Sequence, residues 1–220
     1  MYKNNTHYGV VIMKENTMQK MLINRDSIGL WECFSSVKRE FKRGETITTF
    51  LSDYDIIGII SSGTVYLCTI NSDGHRRILD YYVKGDIFGK RFIPDSENEL
   101  YYFMAKTDCN IDFVKYKNLI TCCSKSCDRH IDMIDYLVMS TSIRSLIHID
   151  ILGQGTLRSK LLLFFEYLKE QKRSTTFSLP MPFSDLADYL CTNRSAMMRE
   201  IKSMTDDGII KCDKRKITLL

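Results

Sequence analysis

Short apolar runs separated by glycine-centred turns fill the first half of the chain. Residues 55–70, DIIGIISSGTVYLCTI, contain two such runs about a Ser-Ser-Gly break, and Asp73-Gly74 just after them is a strong hairpin signal. The segments FKRGETI and KGDIFGK add further turns of this kind. Short strands at close spacing are typical of an antiparallel barrel or roll rather than of alternating strands and helices. We therefore predict a β-roll over residues 1–122.

The pattern changes over residues 123–152, which contain neither glycine nor proline. Apolar positions recur there at steps of three and four, as on a helix, with a Ser-Thr-Ser interruption at residues 140–142. They spread too widely around the helix to pack on the roll alone, and a second copy of the helix would cover the remainder, as in a coiled coil. The sequence thus predicts a homodimer whose interface holds Ile131, Ile134, Val138, Leu146 and Ile149.

The spacing in residues 153–220 predicts helices followed by a hairpin. The first helix is the strongly apolar segment 156–172. After a loop with two prolines, Ser184 is the expected N-cap of a short second helix. Its inward-facing residues are expected to be Leu186, Ala187 and Leu190.

A third helix should follow the second after a tight polar turn. Thr192 or Asn193 is expected to cap it, and it should run to about Asp206, before Gly208. Two short strands then flank the charged turn 213–216. Helix, turn, basic helix and basic hairpin together describe a winged helix-turn-helix over residues 153–220.

The third helix has two chemically different sides. At about 100° per residue, one side is apolar and should face the core: Ala196, Met197, Ile201 and Met204. The other side is basic and partly apolar, and it should be exposed: Arg194, Ser195, Met198, Arg199 and Lys202.

Composition adds a location and a charge asymmetry. No run approaches the roughly 18 apolar residues of a membrane span, and residues 1–18 lack the apolar core of a signal peptide, so we expect a cytoplasmic protein with reduced thiols and no membrane partner. Residues 1–152 hold 19 basic and 19 acidic residues, whereas residues 153–220 hold 12 and 8. The whole net charge of +4 therefore lies in the predicted winged helix-turn-helix, which is a mild indication of nucleic-acid binding.

The order of roll, long helix and winged helix-turn-helix resembles the CRP/FNR family of bacterial transcription regulators. The segments that carry the resemblance are Gly44-Glu45, Ser62-Gly63, Asp73-Gly74, the Gly-Asp-Ile-Phe-Gly turn at 85–89, and FSDLADYLCTNRSAMMREIKSM at 183–204. The resemblance implies an α+β fold and a homodimeric regulator that binds double-stranded DNA at an inverted-repeat operator. It also implies RNA polymerase as a partner if the protein is an activator.

The resemblance assigns a role to the basic side of the third helix, which would lie in the major groove. Arg194 and Arg199 match arginine positions of the family's recognition helix, and an arginine can donate two hydrogen bonds to guanine. Ser195 stands where many members carry a glutamate, so a different operator half-site is expected. The residues expected at base edges are Arg194, Ser195, Met198 and Arg199. Those expected at phosphates are Thr192, Lys202, Lys214, Arg215 and Lys216.

The sensor half departs from family members that bind cyclic AMP. Lys90 stands where those members have a glutamate for the ribose hydroxyl, and an ammonium group cannot accept a hydrogen bond. The Arg-Ser pair that binds the cyclic phosphate is also missing near residue 100. An effector other than cyclic AMP is one alternative, and a roll filled by its own side chains is the other. The candidate effector residues are Phe88, Gly89, Lys90, Arg91, Tyr101, Ser140, Thr141 and Ser142.

The sequence contains no candidate residues for catalysis, cofactor binding or metal binding. The trio Cys122, Cys123 and Cys127 lacks C-x-x-C spacing, and only Cys33 precedes Cys68, unlike the N-terminal cysteine set of the iron-sulfur members. No phosphate-binding glycine loop or nucleophile motif occurs. We expect a protein that is not an enzyme and has no cofactor. The rival hypothesis is a ligand-binding or protein-docking module that does not act on DNA.

Overall fold

The structure, a computed structural model, describes residues 34–47, 55–70, 74–93, 100–121 and 129–220. Its N-terminal half is antiparallel, with two sheets in the strand orders β1-β7-β2-β5 and β4-β3-β6. The strands are β1 Val37–Phe41, β2 Ile56–Ser62, β3 Thr64–Ile70, β4 Arg76–Val83, β5 Ile87–Phe88, β6 Leu100–Ala105 and β7 Cys109–Lys115. The predicted antiparallel roll is confirmed.

Aromatic rings fill the space between the two sheets. The ring of Phe88 lies 4.8 Å from that of Phe103 and 5.8 Å from that of Tyr82, and all three side chains are buried. Gly58 on β2 makes room for them, because a Cβ there would come within 2.6 Å of the Phe88 ring. The Ser-Ser-Gly break between β2 and β3 is also required, since Gly63 has a φ of +93° that other residues rarely adopt.

Five helices follow in the described part of the chain: α1 Tyr116–Ile120, α2 Arg129–Gly153, α3 Leu157–Lys172, α4 Phe183–Tyr189 and α5 Arg194–Asp206. Strands β8 Thr176–Ser178, β9 Ile210–Asp213 and β10 Lys216–Leu219 form a third, small antiparallel sheet in the order β8-β10-β9. The hairpin β9–β10 is the predicted wing, with Lys216 paired to Asp213 across its two-residue turn. The α+β fold and the helix-turn-helix are therefore confirmed.

The helix caps agree with the sequence at two helices and differ at a third. The Thr156 side chain accepts a hydrogen bond from the backbone N–H of Ser159, and Asn193 Oδ1 accepts one from Ala196, so α3 and α5 begin as predicted. Ser184 was wrongly predicted as the N-cap of α4. That helix begins at Phe183, because the Pro182 carbonyl already accepts a hydrogen bond from the backbone N–H of Leu186 and Pro182 is therefore the N-cap. The Ser184 hydroxyl donates to Asp185 Oδ1 and caps no backbone N–H.

Helix α2 spans the predicted long helix up to Gly153, while residues 123–128 lie outside the described residues. One side of it packs on its own chain, where Leu137 is buried against the roll and Ile151 against the C-terminal helices. Another side carries large apolar side chains that are exposed: Ile134 36%, Val138 59%, Leu146 57% and Ile149 68%. The side chain of Ile131 is not among those described.

The roll and the C-terminal helices share one hydrophobic core. Tyr81 on β4 contacts Phe164 on α3 and Tyr189 on α4 edge-on, at ring distances of 6.4 and 5.5 Å. Tyr66 and Ile78, also from the roll, belong to the same buried cluster. Among the described helices, none is long and apolar enough to cross a membrane.

Candidate DNA-binding surface and effector region

The inner side of α5 fixes how this helix is presented. Met197, Ile201 and Met204 are 0–3% exposed and pack into the shared core, as their spacing predicted. Burying these three positions forces the opposite side of the helix toward solvent. Helix α5 is therefore held by its apolar stripe, with its basic side free for a partner.

A second attachment of α5 comes from Arg158 on α3. Its guanidinium is 2.5 Å from Glu200 Oε1 through Nε and 2.7 Å from Asp207 Oδ2 through Nη1, and its Nη2 donates to Ser203 Oγ at 2.8 Å. Hydrogen bonds to the two carboxylates raise the pKa of Arg158. Sequence reasoning missed this clamp, which ties about the last two turns of α5 to α3 by directional contacts.

The outer side of α5 carries the predicted base-reading residues. Arg194, Ser195 and Arg199 are exposed, and the Nε of Arg199 donates to the Ser195 carbonyl at 3.4 Å. Met198 is only half-exposed because it packs against the edge of the core. The outer side of α5 therefore carries two exposed arginines and one apolar side chain that is partly packed.

Cations continue from this helix onto the wing. Lys202 is exposed on α5, and Lys214, Arg215 and Lys216 are exposed at the turn of the hairpin. Lys214 takes a left-handed φ of +52°, which the two-residue turn requires. Thr192 is half-buried, and its N–H is bonded to the Ala187 carbonyl within the turn between α4 and α5.

The candidate effector residues of the roll lie mostly within its packed core. Phe88 is fully buried in the aromatic cluster, and Tyr101 is half-buried against the same cluster. A Cβ on Gly89 would come within 3.0 Å of Ile57, so the glycine permits close packing of the turn on β2. Lys90 begins a short 3-10 turn and is half-buried, whereas the side chain of Arg91 is not described.

The candidate effector residues on α2 bond to their own helix. The hydroxyls of Ser140 and Thr141 both donate to the Leu137 carbonyl, and Ser142 is exposed. Serine and threonine commonly satisfy themselves in this way inside helices. The hydroxyls of Ser140 and Thr141 are therefore already engaged within α2.

Arg144 on α2 is the residue of this region that sequence reasoning missed. Its Nη1 lies 3.3 Å from Asp80 and its Nη2 lies 2.6 Å from Asp86, while Nη1 also donates to the Tyr81 carbonyl at 2.5 Å. The guanidinium lies 4.7 Å from the ring centre of Tyr82. Burial disfavours its charge, but the two carboxylates outweigh this effect and raise the pKa of Arg144 further.

A signal for Arg144 exists in the sequence. Leu137, Arg144 and Ile151 are spaced by seven, so all three lie on the side of α2 that packs on the rest of the chain. A charge at such a position needs a buried partner. Burial raises the pKa of Asp80, and the nearby Arg144 opposes that rise, so the pair is a desolvated ion pair rather than a surface contact.

The described cysteines behave as buried or ordinary thiols. Burial raises the pKa of Cys68 to about 11, and it also raises the pKa of Cys109. Within the residues that the structure describes, no group of three His, Cys, Asp or Glu side chains could hold a metal ion. The trio Cys122, Cys123 and Cys127 lies outside those residues.

Two family models match the sequence. Residues 38–126 match the cyclic nucleotide-binding domain, and residues 159–220 match the Crp-like helix-turn-helix domain. The two matches together cover more than half of the chain. They coincide with the described roll and with the helices α3 to α5 plus the wing.

Similar proteins have the same overall organisation. The transcriptional activator protein FnrL of Cereibacter sphaeroides is 21% identical, over 81% of this chain and 74% of that protein. The structure of FixK2 from Bradyrhizobium japonicum has a TM-score of 0.63 at 19% identity, covering 84% of this chain and 92% of that one. The global regulator CLP of Xanthomonas campestris, described as c-di-GMP responsive, has a TM-score of 0.63 at 16% identity, covering 87% and 98%. The family matches and this shared fold show that the chain belongs to the CRP/FNR family of DNA-binding transcription regulators.

Proposed function

We propose that the protein acts as a homodimer that binds an inverted-repeat operator and regulates transcription there. The observation that carries the proposal is the exposed basic side of α5, whose opposite side is buried and clamped to α3. Arg194 and Arg199 are exposed on it, and the cations of the wing extend the same chemistry. A helix held this way presents a fixed set of donors to the major groove.

The dimer is proposed on the exposed apolar side of α2. Val138, Leu146 and Ile149 lie on one long helix, and each is more than half exposed in the single chain although its side chain is large and apolar. Apolar surface of this kind on a helix marks a contact with another molecule. A second α2 packed antiparallel or parallel to the first by coiled-coil pairing would bury it, and a two-fold axis there matches an inverted repeat.

Three functional units are proposed for the chain. Residues 1–122 form the sensor roll, 123–152 the dimerisation helix and 153–220 the DNA-binding unit. Arg194, Ser195, Met198 and Arg199 are assigned to base edges. Thr192, Lys202 and the wing cations are assigned to phosphates, where they position the protein without specifying a sequence. RNA polymerase is a partner if the protein activates transcription, as the related FnrL does by name.

The roll is proposed not to use cyclic AMP. Lys90 has only donors where a ribose hydroxyl needs an acceptor, and the rings of Tyr82, Phe88 and Phe103 pack together in the interior. Arg144 from α2 is satisfied by two carboxylates of the roll rather than being free for a ligand. Regulation then comes from another small molecule or from none.

Calorimetry tests the effector proposal. Cyclic AMP, cyclic GMP and c-di-GMP, the last because of the Xanthomonas campestris neighbour, would each be titrated into the full-length protein. We expect no specific heat from cyclic AMP or cyclic GMP and no change in operator affinity with either. Binding of cyclic AMP in the micromolar range with a tenfold gain in operator affinity, a coupling of about 1.4 kcal/mol, would contradict the proposal.

Mapping the DNA bound in the native host tests the regulator itself. The map should return inverted repeats upstream of genes, and purified protein should bind them with an affinity that falls steeply with salt, since phosphate contacts release counterions. A protein-docking module would give neither enriched repeats nor a steep salt slope. That result would favour the rival function.

A further inference from the structure

The first helix of the helix-turn-helix, α4, is bonded to the roll of its own chain through two carboxylates. Asp185 Oδ2 accepts a hydrogen bond from Tyr66 Oη at 2.9 Å and lies 2.6 Å from Lys106 Nζ. Asp188 Oδ2 accepts one from the backbone N–H of Ile78 at 2.9 Å. We call these three contacts the dock.

The dock is enclosed rather than superficial. The side chains of Asp185 and Lys106 are 9% and 21% exposed, and Tyr66 is fully buried. Burial works against the charge of Asp185, yet hydrogen bonds from Lys106 and Tyr66 hold its pKa below the usual value. Ile78 lies on β4, which ends the sheet β4-β3-β6, so Asp188 satisfies an edge N–H that the sheet leaves unpaired. Hydrogen bonds are directional, so they restrict the orientation of α4 on the roll more strictly than apolar packing alone.

The dock also leaves the basic side of α5 uncovered. Arg194 and Arg199 are exposed while Asp185 is bonded to the roll. Helix α5 is clamped to α3 through Arg158, and α3, α4 and α5 all contribute to one buried cluster, so we expect the three helices to turn together. On the same strand, β4, Asp80 pairs with Arg144 of α2. A continuous series of contacts therefore joins α2, the roll, the dock and α5.

Without the dock, the orientation of the DNA-binding unit relative to α2 would depend more on the covalent connection between α2 and α3 and on apolar packing. Gly153 ends α2 and Gly155 lies in the connection, and a Cβ at either position would meet no atom within 4 Å. Glycines in open space give a chain little resistance to bending. The dock is thus a polar restraint on how the DNA-binding unit is turned relative to α2, in addition to the shared hydrophobic core.

We propose that Asp185, Asp188, Lys106 and Tyr66 are positioning residues that set the half-site spacing accepted by the dimer. The inference rests on the proposed function, since it requires a dimer on an inverted repeat. In a two-fold dimer the half-site separation equals the separation of the two recognition helices. That separation depends on how each DNA-binding unit is turned relative to α2, which the dock fixes.

The test compares three DNAs with the full-length protein. One is the preferred inverted repeat, the second has its half-sites moved apart by two base pairs, and the third is a single half-site. The variant is Asp185→Asn combined with Asp188→Asn, which removes both charges with little change in shape. We expect the preference for the correct spacing to fall about tenfold, within the usual range of coupling between sites. Half-site affinity should stay within about twofold of wild type, because no base-reading side chain is altered.

Three further variants sharpen the result. Lys106→Met should relax the spacing preference as the double variant does, whereas Lys106→Arg should restore most of it by keeping a cation beside Asp185. Lys42→Met is the matched control, because Lys42 pairs with Asp108 at 3.0 Å but on the surface of the roll, with side chains 73% and 63% exposed. It should leave the spacing preference unchanged.

Several outcomes would overturn the inference. One is a wild-type spacing preference in both the double variant and Lys106→Met. Another is an equal loss for the half-site and the full repeat, which would indicate damaged folding rather than lost positioning. A wild-type protein that binds DNA without preferring a spacing would also overturn it. A wild-type protein that selects no DNA would instead refute the proposed function, and the inference with it.

Discussion

Two groups of cations in the molecule, those on α5 and the wing and those between the roll and the helices packed on it, differ in their surroundings. In the DNA-binding half, Arg194, Arg199 and the wing cations are exposed on elements whose other sides are buried. Between the roll and the helices packed on it, Arg144 of α2 and Lys106 of the roll are largely enclosed, each within 2.6 Å of a carboxylate of another element. An exposed cation on a rigid element is available to an external anion, whereas an enclosed one is satisfied by the fold. The number of charges in a segment therefore does not locate a binding surface unless the exposure of those charges is known.

This contrast assigns binding to one group of cations and architecture to the other. Removing an enclosed cation should destabilise the protein, because it leaves carboxylates without a partner. Removing an exposed cation should leave stability unchanged and affect DNA binding. Variants of the two kinds of cation, and a variant of α2, the proposed dimer helix, therefore test these expectations.

The largest effect is expected at the dimer helix. Replacing Ile134 and Val138 with Asp places two charges in the proposed interface, so the protein should be monomeric and should lose most of its affinity for an inverted repeat. Light scattering at micromolar concentration measures the mass. Val37→Asp is the control, since Val37 is 54% exposed on β1, outside that helix. A wild-type protein that is already monomeric, with and without DNA, would refute the dimer.

Arg144→Met should give the largest loss of stability among the cation variants. Asp80 and Asp86 would lose their buried partner, and breaking such a pair typically costs about 3 kcal/mol of unfolding free energy. Denaturant unfolding of wild type and variant measures the difference. If Arg144 bound an external ligand instead, the variant would match wild type in stability, or exceed it.

The exposed cations should separate by role. Arg199→Ala should cost about 1–3 kcal/mol of operator binding and flatten the preference for one guanine. Arg215→Ala on the wing should weaken binding to all sequences alike and lower the salt slope by about one. Neither variant should change unfolding free energy. Competition titrations with operators altered at single base pairs distinguish the two patterns, and an equal sequence preference in wild type and Arg199→Ala would contradict the assignment.

The smallest effect is a pH dependence from His148. Its ring stacks on Tyr189 at 4.4 Å, and burial lowers its pKa below the usual value of 6.5, although Asp80 opposes this. A hydrogen bond with the Tyr189 backbone also raises the pKa of His148, whereas the charge of Arg144 lowers it. The unfolded chain therefore takes up the proton first, so stability is full above pH 6.5 and falls as the pH drops below it. Thermal unfolding of His148→Phe should show a shallower fall between pH 6.5 and 5, and an unchanged slope would remove His148 as the cause.

The local patterns predicted most of the elements. Gly63 and Gly85 mark turns of the roll with positive φ, and the spacing of Met197, Ile201 and Met204 identified the buried side of α5. Both kinds of signal depend on neighbours within one turn or one strand. For the same reason the start of α4 was misplaced by two residues, because Ser184 satisfies the local N-cap preference although Pro182 is the N-cap.

The contacts between distant parts of the chain could not be predicted in this way. Arg144 meets Asp80 across 64 positions, and Tyr66 meets Asp185 across 119. Sequence reasoning placed Leu186 and Ala187 on the inner side of α4, and both are buried. It did not anticipate that Asp185 would be buried as well, because the side of α4 that it occupies is covered by the roll, whose placement no pattern within α4 reveals.

Selection of double-stranded DNA from a random pool, with wild type and Arg199→Ala in parallel, tests the central claim most directly. The account predicts that wild type enriches an inverted repeat with half-sites about one helical turn apart, each containing an essential guanine. Arg199→Ala should enrich the same repeat with that guanine relaxed. Enrichment of no sequence by wild type, or of the same guanine by both proteins, would contradict the claim that the exposed arginines of α5 read the operator.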